Sequence, residues 1–166
     1  MKKPKKIIGI DPGLQKTGWA VIKSFGSYDQ YVSHGVITTK SSTKLEKRLN
    51  EIFIQLSSVF SKHCPETVAV EKIFSNKNPE SSLKLGKARG IVFLVAARNC
   101  LGVNEYSPNT VKKNLVGYGH ADKNQIVKML ERLYPDLLLE SEDAADALAV
   151  AICHSMQKNS KISSLV

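Results

Sequence analysis

Four carboxylates stand apart from the other acids of the chain by where they fall. Asp11 ends the apolar run Ile7-Ile8-Gly9-Ile10, and Pro12-Gly13 turns the chain away directly after it. Glu71 ends a second apolar run, Thr67-Val68-Ala69-Val70. Asp143 and Asp146 lie three apart in a helical pattern, so they share a helix face. Asp143 alone could be a first-turn acid that complements the helix dipole. Asp146 is harder to explain that way. It is the only charge between Ala144 and Ile152, and no basic residue lies within a turn of it. A buried ionised carboxylate is costly unless it is paired or holds a metal. If the strands before Asp11 and Glu71 are parallel neighbours, their ends lie about 5 Å apart. Two acids that close repel unless one is protonated or a cation sits between them. Four oxygen donors without Cys or His suit a hard divalent ion, Mg²⁺ or Mn²⁺. Two such ions about 4 Å apart are a standard device for in-line phosphodiester chemistry.

The elements that must place these acids follow from periodicity. Residues 6–11, 17–25 and 30–39 read as three successive strands, the first two forming a hairpin with Asp11 at its mouth. Apolar residues at 45, 49, 52, 53, 56, 59 and 60 predict a helix over 44–63. Thr43 is its expected N-cap, with Glu46 completing a capping box, and Cys64-Pro65 its stop. Residues 66–71 form a short buried strand, which a crossover helix should make parallel to the first. A long helix is expected over 81–100, a strand over 102–106, and helices over 108–115 and 123–133 around the break Gly117-Tyr118-Gly119. A last helix spans 141–156, with a loose polar tail from Lys158. Strands first, then alternating helix and strand, predict an α/β fold: a mixed sheet covered by helices.

Length and composition narrow the setting. The chain has 166 residues, which predicts one domain, 1–166, with an ordered core of about 6–156. Lys and Arg number 24 against 15 acids, a net charge of +9, which points to a polyanionic partner such as nucleic acid. A bland reading, a basic protein with no particular partner, stays open on charge alone. Cys64, Cys100 and Cys153 form no C-x-x-C pair, and the four histidines form no zinc spacing. No apolar run is long enough to span a bilayer, and no signal peptide is evident. A cytoplasmic protein with reduced thiols, away from membranes, is expected.

Five segments, in order, resemble the RuvC family of bacterial Holliday-junction resolvases, which are RNase H-like nucleases. They are Gly9-Ile10-Asp11-Pro12-Gly13 with Thr17-Gly18-Trp19, Val70-Glu71-Lys72-Ile73-Phe74, and Ser82 to Gly90. The fourth is Val111-Lys112 with Gly117 to Lys123, and the fifth is Asp143-Ala144-Ala145-Asp146-Ala147-Leu148-Ala149. The resemblance runs from about Lys6 to His154. It implies an RNase H-like fold with a five-stranded sheet flanked by helices on both faces. It implies that Asp11, Glu71, Asp143 and Asp146 are the catalytic, metal-binding tetrad, holding two Mg²⁺ ions for which Mn²⁺ can substitute. It also implies a homodimer that nicks opposed strands of a four-way junction, leaving 5′-phosphate and 3′-hydroxyl ends in recombination and DNA repair, and that works with the RuvA–RuvB branch-migration complex. Two departures add charge: Lys87 stands where the family more often has Gln, and Lys72 follows Glu71 where Gln or another residue is common.

Other residues carry weaker signals. Phe74, in a polar loop, is either core filling or a stacking platform for an unpaired base, and the resemblance favours the platform. Lys112 and Lys123 are ordinary surface charges or phosphate contacts near the scissile bond, and the family motif favours the contacts. Lys84, Lys87 and Arg89 would line the DNA path, although Arg89 could instead pair with an acid of the fold. The apolar centre of the long helix, Ile91 to Val95, is core or a dimer seam. His154 lies two turns beyond Asp146, roughly 12 Å along the axis, too far to join a metal site. Two rival functions share these acids: an RNase H-like nuclease acting on RNA or RNA–DNA hybrid, and a non-catalytic junction-binding protein.

Overall fold

A computed structural model describes residues 3–72, 79–139 and 141–163, the last four of them by backbone alone. The elements run β1 (Lys5–Asp11), β2 (Lys16–Ser24), β3 (Asp29–Thr38), α1 (Leu45–His63), β4 (Thr67–Glu71), α2 (Pro79–Arg98), β5 (Val103–Tyr106), α3 (Pro108–Val116), α4 (Lys123–Leu133) and α5 (Glu142–Ser163). The strands form one mixed sheet in the order β3-β2-β1-β4-β5. β1 pairs antiparallel with β2 and parallel with β4, so the crossover through α1 makes the expected parallel pair.

Side chains alternate across a strand, so each face has its own core. Ile8, Ile10, Val21, Val68 and Val70 point to α1 and α2, where Ile52, Leu56, Phe60, Val92 and Val95 meet them. Ile7, Ala20, Ile22 and Ala69 point to α5, with α3 and α4 packed beside it. By the same alternation Asp11 and Glu71 belong to the α5 face.

Two expectations about helix ends are corrected. The N-cap of α1 is Lys44, without a side-chain hydrogen bond, so Thr43 and Glu46 form no capping box. The tail from Lys158 is helical as far as Ser163 rather than loose. Buried contacts carry α5 on past Met156: Ser155 Oγ lies 2.7 Å from both Ser24 Oγ and Asp29 Oδ1. Asn159 adds a bond to the Gly26 carbonyl.

Candidate active site

The sheet end brings the first two acids together. Ile10 pairs with Val70, so Asp11 and Glu71 follow as neighbours at the ends of adjacent parallel strands. The turn after Asp11 is stapled from inside. Thr17, fully buried, donates to the Gly13 carbonyl at 2.7 Å, and its hydroxyl accepts from Gly13 N at 3.3 Å. Thr39 Oγ1 donates to the Leu14 carbonyl at 2.6 Å, while Arg48 Nε donates to Thr39 Oγ1 and Arg48 Nη2 to the Leu14 carbonyl. Sequence reasoning missed this clamp, because Arg48 is more than thirty positions from the turn it holds and looks like one more basic residue of an amphipathic helix.

The other two acids arrive on the first turns of α5, which lies unusually close to the sheet. A Cβ on Gly18 would overlap the Asp143 carbonyl, and one on Gly9 would overlap the Ala147 carbonyl. With nothing but hydrogen on the strands and Ala144, Ala147 and Ala151 on the helix, the backbones come into contact. Ser141 donates to Asp143 Oδ2 at 3.0 Å and accepts from Asp143 N at 3.2 Å, so it both caps the helix start and orients the acid.

The acids repel one another. Asp11 is raised to about 7, first by burial and then by Asp146, Glu71 and Asp143. Glu71 is raised by burial and by Asp146. Asp146 is raised chiefly by burial, with Asp143 and Glu142 adding to the effect and Lys123 and Lys112 opposing it. The tetrad expected from sequence therefore shares one electrostatic neighbourhood. It is an open one: among the described residues, no three His, Cys, Asp or Glu side chains are gathered tightly enough to hold a metal as they stand.

The opposing cations come from α3 and α4. Ser107 caps α3, accepting from Thr110 N at 3.1 Å, and Gly117 closes it at φ +90°. Asp122 and Gln125 form a capping box that starts α4 at Lys123. Lys112 on α3 and Lys123 on α4 both oppose the upward shifts of Glu71 and Asp146. The Lys123 ammonium lies 2.9 Å from Glu142 Oε2 and has its pKa raised, first by that bond and then by Asp146.

The remaining candidates separate. Lys84 and Lys87 are exposed on α2, Lys84 in an ion pair with Glu80. Arg89 takes the second of its two expected roles, pairing with an acid of the fold. Its guanidinium is nearly buried, bonded to Glu105 and to the Glu71 carbonyl, and stacked over Phe93 at 5.3 Å. Its bonds brace the end of β4 against β5. Phe74 lies outside the described residues.

Comparison with known proteins gives the family of the chain. The family model for crossover junction endodeoxyribonuclease RuvC matches residues 7–154. RuvC of Wolbachia sp. subsp. Brugia malayi is 49% identical over 156 residues, covering 93% of this chain and 96% of that one. RuvC of Agrobacterium fabrum is 47% identical over 155 residues, covering 93% and 91%. Thermus thermophilus RuvC, solved in complex with Holliday junction substrate, matches with a TM-score of 0.88 at 28% identity, covering 95% and 96%. The mixed sheet and its helices are thus the RNase H-like architecture of these nucleases, and the chain belongs to the RuvC family of crossover junction endodeoxyribonucleases.

Proposed function

We propose that this chain is a structure-selective DNA endonuclease that resolves four-way junctions by paired, metal-dependent nicking, as one catalytic domain working in a homodimer. The observation that carries the metal part of the reading is the mutual repulsion of Asp11, Glu71 and Asp146 in a partly buried cluster. Carboxylates held against their own repulsion are waiting for positive charge. One of the opposing ammoniums, Lys123, already bonds to Glu142. An all-oxygen donor set fits Mg²⁺ or Mn²⁺, and four acids are enough for two ions. Asp11, Glu71, Asp143 and Asp146 would hold them, drawing inward from their open spacing. Such ions would polarise the scissile phosphate and lower the pKa of the attacking water.

The chain's own residues supply the rest. The Thr17 staple and the Ser141 cap hold Asp11 and Asp143 in place. Lys112 and Lys123 stand where charge develops on the phosphate. Lys84 and Lys87 extend the basic path along α2, and Phe74 follows Glu71 as the candidate stacking residue. Dimerisation is supported by the outer face of α2. Leu83, Phe93 and Leu94 are 67%, 40% and 48% exposed, and Gly86 and Gly90 between them face open space. That stripe suits a second copy of the same helix, which would set two sites about a two-fold axis matching the junction. Among the described residues no helix is long and apolar enough to cross a membrane. The proposed enzyme is cytoplasmic and meets the RuvA–RuvB complex on DNA.

The test is cleavage of a synthetic mobile four-way junction beside a linear duplex and an RNA–DNA hybrid of equal length. It is run with Mg²⁺, with EDTA and with Asp146→Asn. Symmetric nicks in the junction alone, lost with EDTA and in the variant, are expected. Preference for the hybrid would replace this reading with a general RNase H-like nuclease. Tight junction binding without cleavage in any divalent metal would leave only a binding protein.

A further inference from the structure

The close fit of α5 to the sheet leaves one problem unsolved. Gly9 and Gly18 against Ala144, Ala147 and Ala151 make a smooth contact. Small residues allow near approach, but they offer few knobs to stop a helix sliding along its axis. One residue of slide is about 1.5 Å, and displacements of that size matter to reacting groups. Something must set the axial register of Asp143 and Asp146 against Asp11 and Glu71.

His154 is placed to do so. Its ring is fully buried. Nδ1 lies 2.6 Å from the Tyr106 hydroxyl and Nε2 lies 3.2 Å from Thr67 Oγ1. Thr67 is held in turn by Asn104, whose side-chain amide donates to Thr67 Oγ1 and to the Val68 carbonyl, each at 3.1 Å. Thus one residue of α5 is bonded to two strands at once, β4 through Thr67 and β5 through Tyr106. The lengths on either side match. His154 is eight residues beyond Asp146 on the helix, about 12 Å. Thr67 is four residues before Glu71 on the strand, about 13 Å. Tyr106 stands in register with Glu71 itself.

We infer that His154 is a positioning residue for the reaction, a polar pin that fixes how far along the sheet α5 delivers Asp143 and Asp146, and so sets the affinity of the site for divalent metal. The ring works as a neutral imidazole, one nitrogen donating and the other accepting, so the chain of bonds runs in a single direction. Burial holds its pKa down to about 4, which keeps it neutral across the working pH range. It is remote from the reacting phosphate and moves no proton there. Ser155, bonded to Ser24 and Asp29, ties the next residue to the opposite edge of the sheet, so His154 is the pin on the Glu71 side.

This inference rests on the metal-dependent reading above, and the experiment separates the two. Wild type, His154→Leu, His154→Gln and the shape-preserving double variant Thr67→Val/Tyr106→Phe are compared in three measurements. These are Mn²⁺ binding to the DNA-free protein by electron spin resonance, the Mg²⁺ concentration for half-maximal junction cleavage, and junction binding in EDTA. His154→Leu and the double variant are expected to need at least tenfold more metal in the first two assays. Their junction affinity in EDTA should stay within about twofold of wild type, and His154→Gln should recover most of the loss. Wild-type metal dependence in the double variant would overturn the pin. That variant also decides the matter if His154→Leu does not fold. An equal loss of junction binding would overturn it too, since it would mean general damage. Failure of the wild type to bind metal or cleave would instead sink the metal-dependent reading itself.

Discussion

On one face of the sheet Ile8, Ile10, Val21 and Val70 meet Ile52, Leu56, Phe60 and Val92; on the other, Gly9, Gly18 and Ala20 meet Ala144, Ala147 and Ala151. The first contact is built from volume. Large side chains fill the space beneath α1 and α2 and contribute stability through the apolar area they remove from water. The second is built from proximity. It buries less side chain per residue, but it lets the N-terminus of α5 bring two carboxylates up to a strand end that already carries two. The acid-bearing face therefore adds repulsion where the other face adds only cohesion. Stability and chemistry are largely divided between the two sides of one sheet.

That division can be broken from either side. The largest loss of stability is expected from Phe60→Ala, at about 3–5 kcal/mol by chemical denaturation. The Mg²⁺ dependence of junction cleavage by the folded fraction should not change. A raised metal requirement in this variant would show that the faces are not independent.

Gly18→Ala makes the opposite demand. Its methyl group must displace the Asp143 backbone. Overpacking of this kind costs about 1–3 kcal/mol. Cleavage should fall further than stability, by about 100-fold, the scale of a misplacement of about 1 Å. Unchanged turnover would mean that α5 can shift without moving its acids.

The stored repulsion should be readable as a pH dependence in EDTA. Asp11 titrates near 7 in the folded chain against 3.8 for the free side chain. Between those values the folded state holds the extra proton, so stability falls as pH rises from about 4 to about 7 and is level above. The cluster should contribute a loss of order a few kcal/mol across that window. Asp11→Asn should flatten the profile in thermal melts, and Mg²⁺ should raise the alkaline end. A stability that climbs through this window because of Asp11 would contradict the electrostatics of the site.

The smallest effects sharpen the boundary between DNA contact and internal support. Lys112→Ala and Lys84→Ala should each lower the slope of log affinity against log salt by about one unit, with little change in stability. Arg89→Ala should do the reverse, leaving the slope alone and lowering the melting temperature, because its guanidinium braces Glu71 and Glu105.

Much of this is legible in the chain itself. Strand ends at Asp11 and Glu71 could be read from apolar runs that stop at an acid, and α5 from its alanines. The pattern predicts a helix over 123–133, the span of α4, Lys123–Leu133, in the structure. Local pattern also misled. Thr43 and Glu46 have the spacing of a capping box and do not form one. Lys158 begins a polar stretch that is nonetheless helical, since contacts with the β2–β3 hairpin hold it. The Arg48 clamp could not be seen at all, and for Arg89 the sequence offers an internal acid partner only as one of two roles without choosing it or naming Glu105. Nothing in the local pattern distinguishes a lysine or arginine that faces water from one that folds back on a distant carbonyl.

The sequence by itself determined which groups are available. Periodicity is a local property, so it delivers the strands, the helices and the acids at their ends, and the absence of Cys and His near them restricts a metal to oxygen donors. Only the tertiary structure decided the distances. Asp11, Glu71 and Asp146 influence one another's protonation because β1 and β4 pair in one register and α5 rests on glycines far away in sequence. The helix holds that height and register through His154 and Ser155, whose partners lie on four different strands. Contacts between segments so distant in sequence leave no periodic trace, and the spacing of the acidic cluster is made of such contacts.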